Sequence, residues 1–203
     1  MKLNVNPNRM QLLRLKKRLS FAYRGHKLLK DKQEELMRYF MKLTRETGGL
    51  RREVEEKFTS VYRYYLGALM RENKESVEAA VTSFPEVKLS VDVVNKMNLR
   101  LPVFRSEKAG FDYIPYADVN LNLALDAFSG LFPMLLELSG KEKALELTAF
   151  ELQRTRRRVN ALEYVLIPSL KETIKFIGDR LNELERENIT RLMKIKEIVT
   201  AAV

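Results

Sequence analysis

Few side chains in this sequence could carry out acid–base, nucleophilic or metal chemistry. The 203 residues include one histidine and no cysteine, which excludes thiol chemistry and any Cys/His metal cluster. The only glycine–lysine pair lies at 140–141, but Glu142 follows it and Leu135 stands where a phosphate-binding loop needs its first glycine. We therefore predict no catalytic, cofactor-binding or metal-binding residue, and we do not expect this chain to be an enzyme by itself.

The densest chemical feature is a cluster of four arginines, Arg154, Arg156, Arg157 and Arg158. It is compatible with a solvated basic face, with ion pairs to acidic residues of the first helix, or with contact to an acidic partner or a phosphate backbone. Aromatic residues are not interleaved with these arginines, which weakens the case for stacking on single-stranded nucleic acid. All three interpretations remain open at this point.

The net charge of +10 is unevenly distributed along the chain. Residues 1–30 contain nine lysines and arginines and no acidic residue, whereas residues 81–140 contain five basic and seven acidic residues. The resulting positive field attracts phosphate or an acidic protein surface. The absence of cysteine favours a reducing compartment, and the N-terminus lacks the apolar segment that a secretory signal needs.

Residues 1–82 are predicted to form one long N-terminal helix. Two series spaced by seven residues, Leu12 to Ala68 and Leu15 to Arg71, contain 13 apolar residues in 18 positions. The opposite series, from Lys17 to Asn73, contains one apolar residue in nine. This contrast is typical of a coiled-coil seam. The phase is kept across Gly48-Gly49, so we expect a continuous helix, which would be roughly 110 Å long.

Residues 83–117 are predicted to form a short β-hairpin and a loop. Apolar and polar residues alternate over 87–93 and again over 97–103, and Asn95-Lys96 can turn the chain between them. Pro102 makes the second strand an edge. Because an isolated two-stranded hairpin is marginal in water, it must pack on the helices or on another protein.

Residues 118–203 are predicted to form a second long helix, with Asp118 as its cap and a kink at Pro168. Its apolar spacing runs from Leu145 to Val199. The apolar run at 121–138 is interrupted by charge, so we predict a buried or partner-facing helix rather than a membrane span. The predicted fold is mainly α: a long antiparallel two-helix coiled coil, one elongated unit, with the hairpin and loop between the helices.

Two blocks of this sequence resemble the D subunit of the V-type/A-type rotary ATPases. The N-terminal block comprises Asn6-Pro7, Leu28-Leu29-Lys30-Asp31-Lys32 and Glu35-Leu36-Met37. The C-terminal block contains Thr155, Ile167, Thr173-Ile174-Lys175, Glu183-Leu184-Glu185-Arg186-Glu187 and the residues of the family signature: Arg156, Arg157, Arg158, Val159, Asn160, Ala161, Leu162, Glu163 and Pro168. Asn8 departs from the threonine or serine of the family pattern, which affects only the helix start.

The resemblance implies a central-stalk rotor that transmits torque between an ATP-hydrolysing or ATP-synthesising hexamer and a membrane ion-translocating ring. Its implied partners are the catalytic and regulatory subunits of the hexamer, the small F subunit, and a membrane-side adaptor that couples to the ring. It implies no direct binding of nucleotide or nucleic acid and no insertion into the membrane. The chain would be cytoplasmic and peripheral to the membrane.

Two sets of interface residues follow from combining this resemblance with the charge and apolar patterns. We expect the hexamer bearing to use basic residues near both termini: Arg14, Lys16, Lys17, Arg18, Arg186, Arg191 and Lys194. We expect the interface with the small F subunit to use an apolar set: Tyr62, Tyr65, Leu66, Leu69, Ala124, Phe128, Leu131, Phe132 and Leu135.

The alternative hypothesis is a basic coiled-coil adaptor or nucleic-acid-associated tether. It would use the basic N-terminal region on phosphate. Acidic residues interspersed after residue 31 argue against a rod that binds nucleic acid along its length. Without the resemblance, the residue pattern indicates only a long antiparallel coiled coil with a basic end.

Overall fold

A computed structural model of the chain describes residues 5–82, 87–106, 114–115 and 117–201. The elements in chain order are helix α1 (Arg9–Leu69), helix α2 (Lys74–Thr82), strands β1 (Leu89–Lys96) and β2 (Leu99–Ser106), helix α3 (Val119–Asn160), a π-helical turn (Ala161–Leu166) and helix α4 (Ile167–Ala201). The predicted fold class, two long helical regions separated by a β-hairpin, is confirmed. The predicted single N-terminal helix is interrupted, because α1 ends at Leu69 and α2 begins only at Lys74.

The chain divides into two compact units. Unit 1 combines Met1–Glu35 with Gln153–Val203 and so contains the start of α1, the π turn and α4. Unit 2 is Leu36–Leu152 and contains the rest of α1, the hairpin and most of α3. Each unit has its own apolar core, described separately below.

The core of unit 1 is a seam between α1 and α4. Leu15 and Ala22 from α1 pack with Ile167, Leu170 and Ile177 from α4. The two helices are antiparallel, because Arg9 pairs with Glu185 and His26 lies 3.3 Å from Glu163. All core residues come from one face of each helix, as the heptad pattern requires.

Unit 2 buries the same kind of seam in three clusters. Its α1 and α3 segments meet at Val54, Leu131 and Leu138, and again at Ala68 with Leu121 and Leu125. The third cluster joins the helices to the hairpin: Leu43, Leu101 and Ala144 are each 6% exposed.

The heptad assignment of α1 holds over most of the helix. All nine residues of the series from Leu12 to Ala68 are buried or half-buried, and all nine of the opposite series are exposed. Within α1 the series from Leu15 fails at its last two positions, Lys57 and Tyr64, which are exposed, and Arg71 lies beyond the end of the helix. An α-helix drifts by about 20° per heptad relative to a strict seven-residue repeat, and this drift accumulates toward the end of a long helix. The helix continues through Gly48-Gly49, as predicted.

The hairpin lies where it was predicted, but its turn is displaced. Asn95-Lys96 was predicted to turn the chain, whereas both residues belong to β1 and Lys96 pairs with Leu99. The turn residues are Met97 and Asn98, with φ of 54° and 67°. Two consecutive positive φ values characterise the type I′ turn, whose twist matches that of the flanking strands. Asparagine tolerates this conformation well, and methionine does so much less readily.

The hairpin packs on the helices, as expected for a sheet of only two strands. Leu101 of β2 enters the cluster with Leu43 and Ala144. The Lys96 ammonium lies 4.2 Å from the ring centroid of Tyr39 on α1. All eight residues of β1 are nevertheless exposed, so only one strand is anchored in the core.

The region around Pro168 contains a π turn. Ile167 N–H donates to the carbonyl of Leu162, five residues back, instead of the usual four. Proline has no N–H to donate, and its ring crowds the carbonyl four residues earlier, so a helix adjusts its hydrogen bonding just before it. The proline therefore changes the backbone where a kink was predicted, and the kink itself stays a prediction.

The helical stretch from Val119 to Thr200 contains one window that is long and apolar enough to cross a membrane by length and composition. Core helices of other proteins meet the same criterion. Leu121, Leu125 and Leu131 from this stretch are buried in the clusters of unit 2, but only 28% of the apolar window is buried. Both parts of the predicted description, buried or partner-facing, therefore remain open for this segment.

Replacing Leu170 with alanine should destabilise unit 1. Leu170 is fully buried in the seam, and a cavity of this kind lowers the free energy of unfolding by about 2–5 kcal/mol. The matched control is Leu192→Ala on the same helix, because Leu192 is 65% exposed and should change stability by less than about 0.5 kcal/mol. Urea unfolding followed by circular dichroism measures both. Equal effects of the two substitutions would contradict the assigned seam.

Candidate partner-binding surfaces

The net charge lies almost entirely in unit 1. This unit contains 21 lysines and arginines against 10 aspartates and glutamates, a net +11, whereas unit 2 contains 16 against 17, a net −1. Unit 1 therefore presents a strongly positive field, and unit 2 is close to neutral. Two units with such different electrostatics are suited to different partners.

The predicted bearing residues all belong to unit 1 and are all exposed. Arg14, Lys16, Lys17 and Arg18 lie on α1, and Arg186, Arg191 and Lys194 lie on α4. Lys194 forms an ion pair of 2.8 Å with Glu197 one turn further along. Exposed pairs of this kind contribute little to stability, so these cations remain available to a partner.

The apolar stripe of α4 continues beyond its packing on α1. The buried or half-buried seam positions of α4 end at Leu181. The later seam positions predicted from the sequence, Leu184, Asn188, Leu192, Ile195 and Val199, are all exposed. Six large apolar residues of this segment are between 53% and 67% exposed: Ile189, Leu192, Met193, Ile195, Ile198 and Val199. So many exposed apolar side chains at one end of a helix make this segment a candidate interaction surface.

The apolar set predicted for the small F subunit is assembled on unit 2. Tyr62 and Tyr65 of α1 meet Ala124 and Phe128 of α3 around an apolar cavity of about 290 Å³. Phe58, Val61 and Leu125 complete its wall. The Phe128 and Phe132 rings lie 6.2 Å apart. This is a surface cleft with aromatic walls, the kind of surface that protein partners bind.

The other members of this set differ in exposure. Ala124 is 3% and Leu131 is 1% exposed, because both pack inside unit 2, and Leu69 and Leu135 pack against the same cores. Leu66 is 38% exposed. Tyr62, Tyr65, Leu66 and Phe128 are therefore the most accessible to a partner. Leu69, Phe132 and Leu135 are half-buried, and Ala124 and Leu131 are buried beneath the surface.

The four clustered arginines of the family signature region are exposed, whereas Thr155 and Val159 between and after them are buried. Within the residues that the structure describes, none of the four guanidinium groups forms an ion pair with a carboxylate. The charged face is therefore directed away from the helical seam. Ion pairing with the first helix, one of the three interpretations of the sequence, therefore does not account for the arginine cluster.

The remaining signature residues include the π turn, which sequence reasoning missed. Ala161, Leu162 and Glu163 are its first three residues. The Glu163 carboxylate lies 3.3 Å from His26 Nε2 across the seam. His26 was predicted to be a polar register residue of the seam, and it is half-buried there. The only signal for the π turn was Pro168 inside an otherwise helical pattern.

A second feature missed from the sequence is a cavity beneath the hairpin. It has a volume of about 370 Å³ and lies between β2, α1 and α3. Its walls are mainly apolar, and its polar and charged lining residues are Tyr39, Glu46, Lys96, Glu137 and Lys141. Burial, and secondarily the nearby Glu46 carboxylate, raise the pKa of the Tyr39 hydroxyl. The described residues contain no group of three acidic or histidine side chains that could hold a metal ion.

Comparison with known proteins gives the family context. The family model for the D subunit of ATP synthase matches residues 11–197. The chain is 47% identical to the V-type ATP synthase D subunit of Clostridium botulinum (strain Kyoto / Type A2), over 98% of this chain and 96% of the relative. It is 46% identical to the protein of the same name from Acetivibrio thermocellus, over 97% and 92% of the two chains.

The raised pKa of Tyr39 predicts a pH dependence of stability. The folded chain holds this proton more tightly than the unfolded chain, whose tyrosine titrates near about 10. The free energy of unfolding should therefore fall as the pH rises from about 10 through the folded-state pKa. Tyr39→Phe should remove the part of this decrease in the free energy of unfolding that comes from Tyr39. The control Tyr64→Phe, at an exposed position, should leave the decrease unchanged. Denaturant unfolding across this pH range tests it, and parallel curves for wild type and Tyr39→Phe would refute it.

Proposed function

Because the chain belongs to the family of the ATP synthase D subunit, we propose that it is the central rotor shaft of a V-type rotary ATPase. In this role it transmits torque between the ATP-hydrolysing or ATP-synthesising hexamer and the membrane ion-translocating ring. The complex performs the chemistry, and this chain supplies the mechanical coupling. The chain lies on the cytoplasmic side, peripheral to the membrane.

The observation that carries this proposal is the uncovered apolar stripe at the end of α4. Leu192, Ile195 and Val199 continue the spacing of the seam but have no described helix against them. Leaving such a stripe in water is unfavourable by roughly 25 cal/mol per Å² of apolar surface. A collar of partner subunits around α4 would cover it, and the inner bearing of the hexamer is such a collar.

The basic residues of unit 1 fit the same role. A rotor must be held on its axis without being locked at one angle, and exposed lysines and arginines on long flexible side chains give a long-range attraction that is not tied to one geometry. Arg14, Lys16, Lys17 and Arg18 on α1, with Arg186, Arg191 and Lys194 on α4, would face acidic surfaces of the catalytic and regulatory subunits. Torque would arise when these subunits change shape during hydrolysis and push on the helices.

Unit 2 would bind the small F subunit and the membrane-side adaptor. The aromatic cleft of Tyr62, Tyr65 and Phe128 would bind the small F subunit, since it is apolar and open to solvent. The exposed strand β1 adds a second free surface, and the membrane-side adaptor would bind on this unit. Its net charge of −1 means that shape and apolar contact, rather than charge, would hold these partners.

The nucleic-acid tether is the less favoured function. Binding to phosphate uses lysine and arginine but gives no reason to expose Ile189, Ile195 and Ile198 beside them. These residues need an apolar partner surface, which a hexamer bearing provides.

Removing four bearing charges on α1 should weaken the contact with the hexamer. The variant Arg14→Gln/Lys16→Gln/Lys17→Gln/Arg18→Gln should bind the remaining ATPase complex at least about tenfold more weakly and with a shallower salt dependence. The matched control removes four exposed charges of unit 2: Arg38→Gln, Arg45→Gln, Arg52→Gln and Arg63→Gln. Biolayer interferometry over a salt series measures both. An unchanged affinity and salt slope for the α1 variant would refute the bearing assignment.

Placing a charge in the aromatic cleft should release the small F subunit. Phe128→Asp and Tyr65→Asp each put a carboxylate into the apolar wall, and a desolvated unpaired charge strongly disfavours association. Tyr64→Asp is the control, because Tyr64 is comparably exposed but does not line the cleft. The readout is co-purification of the F subunit, with thermal unfolding to verify that each variant is folded. Retention of this partner by folded Phe128→Asp and Tyr65→Asp would place its site elsewhere.

A further inference from the structure

The α4 tip, residues 189–201, extends beyond the start of α1. Arg9 is the first residue of α1 and pairs with Glu185 on α4. Because the two helices are antiparallel, the residues of α4 that follow this pair run past the point at which α1 begins. The tip has 13 residues, which make an α-helix roughly 20 Å long.

The α4 tip carries one broad apolar face. Four large apolar side chains are spaced by three, three and four residues and so fall within about 120° of the helix circumference: Ile189, Leu192, Ile195 and Val199. Each of the four is more than half exposed. Met193 and Ile198 widen this face on its two sides. The face is therefore broad enough to need an apolar layer against it rather than a single pocket.

Cations accompany this apolar face. Arg191, Lys194 and Lys196 are exposed, against a single acidic residue of the tip, Glu197, which pairs with Lys194 at 2.8 Å. Three cations against one anion give the tip a net charge of +2, and it belongs to unit 1, whose net charge is +11. Long basic side chains can hold their charged groups in a polar layer while their stems lie along apolar surface.

We propose that the α4 tip is a docking surface for an anionic phospholipid bilayer, on which the chain lies before it assembles with partner subunits. A helix with an apolar face and accompanying lysines and arginines lies in the plane of the membrane interface, its apolar face at the acyl boundary and its cations at the phosphate groups. The tip is too short, at roughly 20 Å, to cross a hydrocarbon core of about 30 Å. It therefore lies on the bilayer and does not span it.

This inference goes beyond the rotor function and does not depend on it. In the assembled complex the same apolar face would be covered by the hexamer, so the bilayer and the hexamer are alternative occupants of one surface. The bilayer covers the face in the free chain. A covered face protects an unassembled chain from non-specific association through its exposed apolar residues.

A second copy of this chain fits the α4 tip less well than a bilayer does. Two tips packed together would bury their apolar faces against each other. Each tip, however, belongs to a unit with a net charge of +11, so the two copies would repel each other. The same charge attracts a surface of anionic phosphate groups.

Vesicle flotation with the full chain tests the charged and apolar parts of the contact. The chain should bind vesicles made of equal parts of phosphatidylglycerol and phosphatidylcholine at least about tenfold more tightly than vesicles of phosphatidylcholine alone. Leu192→Ser/Ile195→Ser should weaken binding to the mixed vesicles at least about tenfold at every salt concentration. Arg191→Gln/Lys196→Gln should weaken it about tenfold at low salt, and the difference should shrink as salt is added.

Matched controls remove the same kinds of side chain from unit 2. Val91→Ser/Val93→Ser removes two exposed apolar side chains from β1, and Arg45→Gln/Arg52→Gln removes two exposed charges. Both controls should bind vesicles like wild type, and thermal unfolding verifies that every variant is folded. Equal binding of wild type to pure phosphatidylcholine vesicles, or undiminished binding of Leu192→Ser/Ile195→Ser, would overturn the proposal.

Tryptophan fluorescence tests which face of the helix meets the bilayer. The chain contains no tryptophan, so one introduced indole reports on one position. Leu192→Trp places it on the apolar face, and Thr190→Trp places it about 160° away around the same helix. On addition of the mixed vesicles, the emission of Leu192→Trp should shift to shorter wavelength and that of Thr190→Trp should change much less. Shifts of equal size would contradict a helix that lies flat on the surface.

The outcomes separate this inference from the proposed function. If the wild-type chain binds neither kind of vesicle, the bilayer contact is refuted, whereas the rotor function, which is tested with the ATPase complex, is unaffected. If the chain binds the mixed vesicles but not the ATPase complex, the rotor function fails and the bilayer contact stands. A chain that sediments as a dimer without lipid and does not bind vesicles, while Leu192→Ser/Ile195→Ser is monomeric, would assign the α4 tip to a second copy instead.

Discussion

A single apolar stripe on each of two antiparallel helices holds each unit of this protein together. In unit 1, Leu15 and Ala22 meet Ile167, Leu170 and Ile177, and in unit 2 the same arrangement recurs at Val54 and Leu131. A two-helix seam buries one face of each helix and leaves the others in water. Most of the surface is consequently free for partners. The proposed rotor function has this requirement.

The two units differ in the net charge and in the apolar residues of their outer faces. Unit 1 combines a net charge of +11 with exposed apolar residues at the end of α4, and unit 2 is nearly neutral with an aromatic cleft and a free strand. A long-range positive field attracts an acidic collar at many angles, whereas an apolar cleft holds one partner in one orientation. Under the proposed rotor function, the first property suits a rotating contact and the second suits a partner that turns with the chain.

The sequence predicted the seam well because heptad spacing reports directly which face of a helix is buried. It predicted the hairpin from alternation, but it misplaced the turn, because Met97 adopts a positive φ that propensity disfavours. The break at 70–73 has no proline or glycine to announce it. Pro168 indicated an irregularity without specifying a π turn, since a proline can be accommodated by a kink or by a change of hydrogen bonding.

The candidate surfaces were predictable only in part. Basic residues such as Arg14 and Arg186 are exposed because charge is costly to bury, so their exposure follows from residue type. Apolar residues give no such guidance: Leu131 is buried within its own chain and Leu192 is exposed, although both continue an apolar pattern. Whether an apolar residue faces its own fold or a partner depends on how far the opposing helix extends, and that is set by the tertiary structure.

The measurement that tests the central claim most directly is single-molecule rotation. The chain has no cysteine, so a cysteine introduced at the exposed Lys88 gives one attachment site for a bead. The hexamer, assembled with this chain, would be fixed to a surface and supplied with ATP. Continuous rotation of the bead in one direction, stopping when ATP is removed, is the result expected for a rotor shaft. A bead that stays still while the fixed complexes hydrolyse ATP would contradict the account.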